Sequence, residues 1–167
     1  MLLCPQGQNS FEFHLNPNEK REENKRIERF YDQWACWNLL GLKIGVAILV
    51  VSDAEGNGKT TFVKILEHLM GLHNTAHPSI SELEKWTWSC YGKRLVIFEE
   101  TEGLRSDSEV FKNLKNMATN DVFSYEKKGV QGEDMTCVNN IYMTSNKTIP
   151  CVGRRYLTII PTTKWLN

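Results

Sequence analysis

A glycine-rich segment after an apolar run is the part of this sequence best suited to bind phosphate. Residues 52–61 read Ser-Asp-Ala-Glu-Gly-Asn-Gly-Lys-Thr-Thr and follow the β-branched run Val46–Val51. Gly56 and Gly58 let the backbone curl so that successive N–H groups point at one anion. The amphipathic pattern that follows predicts a helix, whose positive N-terminal end adds to the same site. This order of strand, turn and helix predicts a phosphate-binding loop.

Two side chains of this loop have the chemistry of nucleotide binding. Lys59 is expected to reach the β- and γ-phosphates and the Thr60 hydroxyl to ligate Mg²⁺, so ATP and Mg²⁺ are the expected cofactors. Asp53 stands where the pattern G-x-x-x-x-G-K-[ST] has its first glycine. A glycine-rich turn with an unrelated lysine is the alternative, which the flanking strand and helix disfavour. The residues predicted to bind the nucleotide are Glu55, Gly56, Asn57, Gly58, Lys59, Thr60 and Thr61.

Two acidic residues follow a second buried run, Leu95–Phe98. Hydrolysis of ATP needs one acid that holds Mg²⁺ and another that orients and deprotonates the attacking water. We assign Glu99 to the metal and Glu100 to the water. Two acids after a strand also occur in ordinary solvated loops, so this assignment depends on the phosphate-binding loop upstream.

Further polar residues surround the third and fourth apolar runs. Ile141–Thr144 is followed by Ser145-Asn146, and the Asn146 amide is expected to contact the γ-phosphate or the attacking water; an ordinary turn is the alternative. Arg154 and Arg155 precede the run Tyr156–Ile160. In a ring-shaped ATPase one of them would cross the subunit interface to stabilise the γ-phosphate charge. Otherwise both are surface charges.

Residues 123–130 alternate in polarity and then break at Gly129, which predicts a β-hairpin. Lys127 and Lys128 lie near its tip, where they could bind the phosphate backbone of a nucleic acid. A solvated turn explains the same pair equally well.

The remaining pattern predicts an α/β domain with three layers, a mostly parallel central sheet and the hairpin as an insertion. Residues 1–40 are expected to form an arm and a helix that packs on the core, and residues 41–167 the core itself. That first helix carries an aromatic stripe, and later helices are predicted to end at Gly71, to cover residues 81–86 and to start at a Ser106–Glu109 capping box. The stripe consists of Ile27, Phe30, Tyr31, Trp34 and Trp37, and the expected apolar face of the second helix of Phe62, Ile65, Leu66, Leu69 and Met70.

Composition limits the possible functions. The chain has 20 Lys plus Arg and 20 Asp plus Glu, so a protein that is basic over its whole surface is excluded, and any nucleic-acid contact must be local. The 5 scattered cysteines form no C-x-x-C pair and favour a reducing compartment. The chain has no apolar run of bilayer length and no signal-peptide pattern. We therefore expect a soluble intracellular protein without a membrane partner, in the host cytoplasm or nucleus if it is viral.

The motifs Gly56-x-Gly-Lys-Thr60, Phe98-Glu-Glu100, Lys127-Lys-Gly129 and Met143-Thr-Ser-Asn146 occur in this order. Together they resemble superfamily 3 helicases, the AAA-type motors of viral, phage and plasmid replication proteins, over roughly residues 30–161. The Phe-Glu-Glu and Thr-Ser-Asn segments look like the parvovirus replication proteins. Lys128-Gly129, Ser145-Asn146, Pro150 and Arg154-Arg155 look closer to primase-helicases. Gly153 departs from the acidic residue that often precedes the paired arginines.

The resemblance implies an AAA-like P-loop fold and a homo-oligomer, a hexameric ring with ATP sites between subunits. It also implies 3′ to 5′ movement on single-stranded DNA and a replication initiator or primase module as a partner. By match to the motifs, Glu99 and Glu100 have the acidic roles, Asn146 the sensor role, Arg155 or Arg154 the arginine-finger role, and Lys128 the grip on the phosphate backbone. The alternatives are a motor that acts on RNA, a small P-loop kinase and a degenerate nucleotide-binding assembly subunit.

Overall fold

Alternating buried strands and amphipathic helices make up most of the chain, in the order that the sequence predicts. The computed structural model describes residues 17–51, 58–99, 101, 104–105, 108–146 and 156–159. The helices are α1 (Pro17–Leu39), α2 (Lys59–Met70), α3 (Ile80–Lys85) and α4 (Glu109–Thr119), with short 3₁₀ turns at Leu72–Asn74 and Trp88–Cys90. The strands are β1 (Ala47–Val51), β2 (Thr75–Ala76), β3 (Leu95–Phe98), β4 (Val122–Lys127), β5 (Val130–Thr136), β6 (Asn140–Ser145) and β7 (Tyr156–Ile159).

Five strands form one parallel sheet in the order β2-β3-β6-β1-β7. Val51 is in register with Ser145, and Phe98 is in register with Met143. The carboxyl ends of β1, β3 and β6 therefore lie side by side at one edge of the sheet. Because β1 leads into α2 on one face of the sheet while β3 leads to α4 on the other, this edge has the geometry at which open α/β sheets bind ligands.

Helices cover both faces of the sheet, which explains why its strands are apolar without alternation. On one face, side chains of α1 and α2 such as Trp34, Val63 and Leu66 form a cluster with alternate strand residues. On the other face, α3 and α4 contribute a second cluster around Leu83 and Leu114. The strand residues of the first cluster are Ile48, Val50, Leu95, Ile97 and Tyr142, and those of the second are Ala47, Leu49, Val51, Val96, Phe98, Ile141 and Met143.

The antiparallel pair β4–β5 confirms the predicted hairpin. Lys127 pairs with Val130, so Lys128 and Gly129 form the turn, and Gly129 has the positive φ of 75° that favours glycine. The expected helix end at Gly71 and the helix near residues 81–86 are also confirmed, the latter as α3 with a capping box between Ser79 and Glu82.

Two predicted helix faces are wrong in part. Trp34 is fully buried, but Trp37 is 36% exposed, so the packed part of the aromatic stripe ends one turn earlier than expected. In α2, Ile65 and Leu69 are more than half exposed, whereas Val63 is buried with Leu66. The sheet contacts only a narrow stripe of α2, and a pattern of apolar residues on two adjacent stripes could not show which one faces the core.

The predicted start of α4 at Ser106 is also wrong. The helix begins at Glu109, and its N-cap is Ser108, whose Oγ accepts a hydrogen bond of 3.2 Å from the Phe111 N–H. Ser106 itself lies outside the described residues. An N-cap side chain must reach the N–H three residues ahead. Ser108 reaches that of Phe111, which belongs to the buried stripe that starts at Val110.

Among the residues that the structure describes, no helix has the length and the apolar character needed to cross a membrane.

Candidate functional site

Lys59 is the first residue of α2 and lies near the edge of the sheet where β1 and β6 end. Gly58 is the N-cap of α2 and adopts a left-handed conformation, with φ 81° and ψ 7°. A residue with a Cβ is strained there, which explains the glycine. Gly58 has no side chain to cap the N–H groups of the first turn of α2, and the N-terminal end of a helix is a favourable partner for anions.

Lys59 and Asn146 meet at this edge. The Lys59 Nζ donates a hydrogen bond to Asn146 Oδ1 at 2.9 Å. The two residues are far apart in sequence, but each follows one of two adjacent parallel strands, β1 and β6, whose register aligns their ends. Because an ammonium can only donate, the Asn146 atom that faces it is the amide oxygen.

The loop after β3 is bound tightly to β6 at the same edge. Thr101 is fully buried, and both its backbone N–H and its hydroxyl donate to the Thr144 carbonyl, at 3.1 Å and 2.9 Å. Glu99, the first residue after β3, is exposed and lies between this anchor and the strand. The sequence alone did not predict this role of Thr101, because a threonine after two acidic residues forms no recognisable motif.

A buried tyrosine, which the sequence did not lead us to expect, contacts the first residue of α2. Tyr142 of β6 is fully buried, and its hydroxyl lies 2.9 Å from the Tyr31 hydroxyl of α1 and 3.4 Å from the Lys59 carbonyl oxygen. The pKa of Tyr142 is raised to about 12, mainly by burial, which the hydrogen bond with Tyr31 opposes and the negative charge of Glu99 reinforces. The one available signal was a tyrosine inside an otherwise apolar strand.

Thr60 and Thr61 lie in the first turn of α2, and both are exposed. Other predicted site residues lie outside the described residues: Asp53, Glu55, Gly56, Asn57, Glu100, Arg154 and Arg155. In the described ranges, no group of three or more His, Cys, Asp or Glu residues is placed to hold a metal ion. Thr60 and Glu99 lie among the described residues, and their role as ligands of Mg²⁺ remains a prediction based on their side-chain chemistry.

The two hairpin lysines have different surroundings. The Lys127 Nζ lies 5.7 Å from the centre of the Trp88 ring, within the range of a cation–π contact, whereas Lys128 forms the exposed turn. The end of β4 next to the turn is bound to the same segment, because the Thr87 hydroxyl accepts from the Glu126 N–H at 2.9 Å and the Thr87 N–H donates to the Glu126 carbonyl. The sequence alone gave both lysines the same expected role and did not predict the contact of Lys127 with Trp88.

Comparison with solved structures supports a helicase-like α/β fold. The C-terminal region of NrS-1 matches with a TM-score of 0.64 at 19% identity, covering 82% of this chain and 37% of that chain. The JCV helicase matches with a TM-score of 0.53 at 15% identity, covering 80% of this chain and 40% of that chain. At these identities the likeness concerns the fold alone, and the chain spans about two fifths or less of the length of these proteins.

A search of the curated proteins returned no match. The model of the family described as a family of unknown function (DUF5906) matches residues 50–155, a range that includes the phosphate loop, β3, the hairpin and β6. The chain therefore belongs to this family, DUF5906.

Proposed function

We propose that this chain is the ATP-hydrolysing motor of a DNA helicase or translocase for the replication of a viral or mobile-element genome. The observation that carries the proposal is the 2.9 Å hydrogen bond between Lys59 and Asn146 at the carboxyl ends of β1 and β6. An ammonium and an amide held together beside an uncapped helix N-terminus form a donor-rich site that suits a triphosphate.

The residues present fit a nucleotide and its metal. The ammonium of Lys59 has three N–H donors, so it can contact a phosphate oxygen while it still donates to Asn146. The amide nitrogen of Asn146 is then within reach of the same phosphate. The Thr60 hydroxyl and the Glu99 carboxylate supply oxygen donors, which Mg²⁺ prefers, and bound Mg²⁺ neutralises charge that develops on the phosphates.

The chemistry of hydrolysis requires further residues that lie outside the described part of the chain. We assign to Glu100 the deprotonation of the attacking water, and to Arg155 or Arg154 the stabilisation of the γ-phosphate charge. An arginine finger acts across a subunit interface, so this assignment includes a homo-oligomer, which we propose is a hexameric ring with an AAA-like, three-layer P-loop core. The predicted initiator or primase partner belongs to the same proposal.

The hairpin is the proposed contact with single-stranded DNA. Lys128 is exposed in the turn and is the better candidate for a phosphate contact, because the contact of Lys127 with Trp88 holds that lysine against the domain. One of the solved structures with a similar fold is the JCV helicase, which supports a nucleic acid as the polymer. Contacts with phosphate alone do not distinguish DNA from RNA, so the choice of DNA is part of what must be tested.

The test is steady-state ATPase activity with Mg²⁺, with and without single-stranded DNA or RNA, on protein whose mass is measured by light scattering. We expect turnover that single-stranded DNA stimulates, in an oligomer. Lys59→Ala should abolish nucleotide binding, whereas Lys64→Ala, which removes an exposed lysine farther along α2, should leave it unchanged.

Three results would contradict the proposal in different ways. A monomer that transfers phosphate only to a small acceptor would be a kinase. Binding of ATP without turnover would favour an assembly subunit. Stimulation of the ATPase by RNA and not by DNA would mean that the motor acts on RNA.

A further inference from the structure

Two tyrosine hydroxyls form a chain of contacts from α1 to the phosphate loop. The Tyr31 hydroxyl of α1 lies 2.9 Å from the Tyr142 hydroxyl of β6, which lies 3.4 Å from the backbone carbonyl of Lys59. Tyr142 has no exposed surface, so its hydroxyl has these groups in place of water. A hydroxyl buried in an apolar cluster is costly unless it is hydrogen-bonded.

The direction of each hydrogen bond follows from the available donors. The Lys59 carbonyl can only accept, so the single hydroxyl proton of Tyr142 is donated to it. With its proton in this bond, Tyr142 offers only its oxygen to the 2.9 Å contact with Tyr31, and in this arrangement Tyr31 is the donor. Burial raises the pKa of both phenols, that of Tyr142 to about 12, so both remain protonated and keep this direction at physiological pH.

The rings of Tyr31 and Tyr142 also pack against Phe62 at the start of α2. The ring of Phe62 lies 4.5 Å from that of Tyr31 and stacks on that of Tyr142 at 6.2 Å. The Phe62 N–H donates to the Gly58 carbonyl and so closes the first turn of the helix. This turn presents the Lys59 side chain, and it is held from below by β6 and from the side by α1.

We propose that Tyr142 is a positioning residue for Lys59 and that Tyr31 orients the Tyr142 hydroxyl, so that the placement of α1 sets the affinity of the site for ATP. This inference rests on the proposed function of Lys59. Tyr142 does not touch the nucleotide; it acts through the backbone of the residue that does. A displacement of α1 would remove the donor to Tyr142 and loosen the first turn of α2.

A purely structural role makes a different prediction. If the tyrosines served only to fill the core, phenylalanine would pack as well, and replacement of both would be nearly neutral, because it removes both hydroxyls together. Positioning of Lys59 instead predicts that every variant without the Tyr142 hydroxyl binds ATP more weakly, whether or not its stability changes.

The experiment compares ATP–Mg²⁺ binding by calorimetry in the wild type, Tyr31→Phe, Tyr142→Phe and the double variant, each with its melting temperature. We expect Tyr142→Phe to weaken ATP binding about three- to tenfold, the effect of one lost hydrogen bond. Tyr31→Phe should have a smaller effect, and the double variant should match Tyr142→Phe. Hydrogen–deuterium exchange of residues 58–66 without nucleotide should be faster in Tyr142→Phe.

Tyr125→Phe is the matched control. It removes another buried hydroxyl, which donates to Asn139 at 2.6 Å beside the other core cluster, and it should leave ATP binding unchanged. Unchanged ATP binding in Tyr142→Phe, or an equal loss in Tyr125→Phe, would overturn the inference alone. No ATP binding by the wild type would overturn the proposed function as well. Should Tyr142→Phe fail to fold, Tyr31→Phe decides: weaker binding supports the inference and wild-type binding overturns it.

Discussion

Replacement of Asn146 by aspartate tests the geometry of the site most directly. The change keeps the shape of the side chain but puts a carboxylate where the amide now accepts from Lys59 Nζ at 2.9 Å. Two unit charges at that separation attract by about 1.4 kcal/mol even at the dielectric constant of water, which corresponds to about tenfold in an equilibrium constant. Because Asn146 is exposed, this solvent-screened value is the appropriate one.

In Asn146→Asp the ammonium would be neutralised before the nucleotide arrives, and the new carboxylate would also repel the γ-phosphate. We therefore expect ATP affinity to fall by up to about tenfold at low ionic strength, the Coulomb value for the neutralised pair. Added salt should reduce this loss, because it screens exposed charges. Asn146→Ala is the matched control: it removes the amide without adding charge, so its effect on affinity should be smaller and insensitive to salt.

The assay is ATP–Mg²⁺ binding at low and moderate ionic strength for the wild type and both variants. If Asn146→Asp binds ATP as tightly as the wild type while Lys59→Ala does not bind, Asn146 does not face the phosphates and the reasoning is refuted. If Asn146→Ala and Asn146→Asp lose the same affinity at every salt concentration, charge is not the cause.

Two further predictions concern the hairpin and the loop after β3. Lys128→Ala should retain basal ATPase activity but lose the stimulation of this activity by single-stranded DNA. Lys127→Ala should lose less of the stimulation, because its ammonium already contacts the Trp88 ring. Equal losses of stimulation, measured as ATPase rate against DNA concentration, would contradict this ranking. Thr101→Val should lower the free energy of unfolding by about 1 kcal/mol in urea denaturation, since it removes one buried hydrogen bond. A change below a few tenths would mean that the Thr101 hydroxyl contributes no net stability.

The strands and the residues at their ends could be predicted from sequence for a physical reason. A strand covered on both faces is mostly apolar, so β1 and β3 appear as unbroken apolar runs and the centre of β6 as Ile141–Met143, and polar residues follow each run toward its carboxyl end. Parallel pairing then aligns these ends. The proximity of Lys59 and Asn146 follows from those two rules without any knowledge of the loops.

The side chains that support the site could not be predicted in this way. Tyr142 and Thr101 are recognisable only from what they contact, and each contact joins residues distant in sequence. The choice between Ser106 and Ser108 as the cap of α4, and between two apolar stripes of α2, also depends on where the sheet lies. Periodicity in one segment carries no information about the position of its partner.

The connections of the hairpin bear on how a motor of this kind would transmit force. β4 is bound through Thr87 and Trp88 to the segment that leads into β3, whose end carries Glu99. β5 leads through Asn139 into β6, and the Asn139 amide donates to the carbonyls of Cys90 and Lys93 in the first segment. Both strands of the hairpin are thus joined to the two strands that end at the site. In the proposed motor, a load on Lys128 would pass to β3 and β6 through the backbone pairing of the hairpin and the buried amide of Asn139.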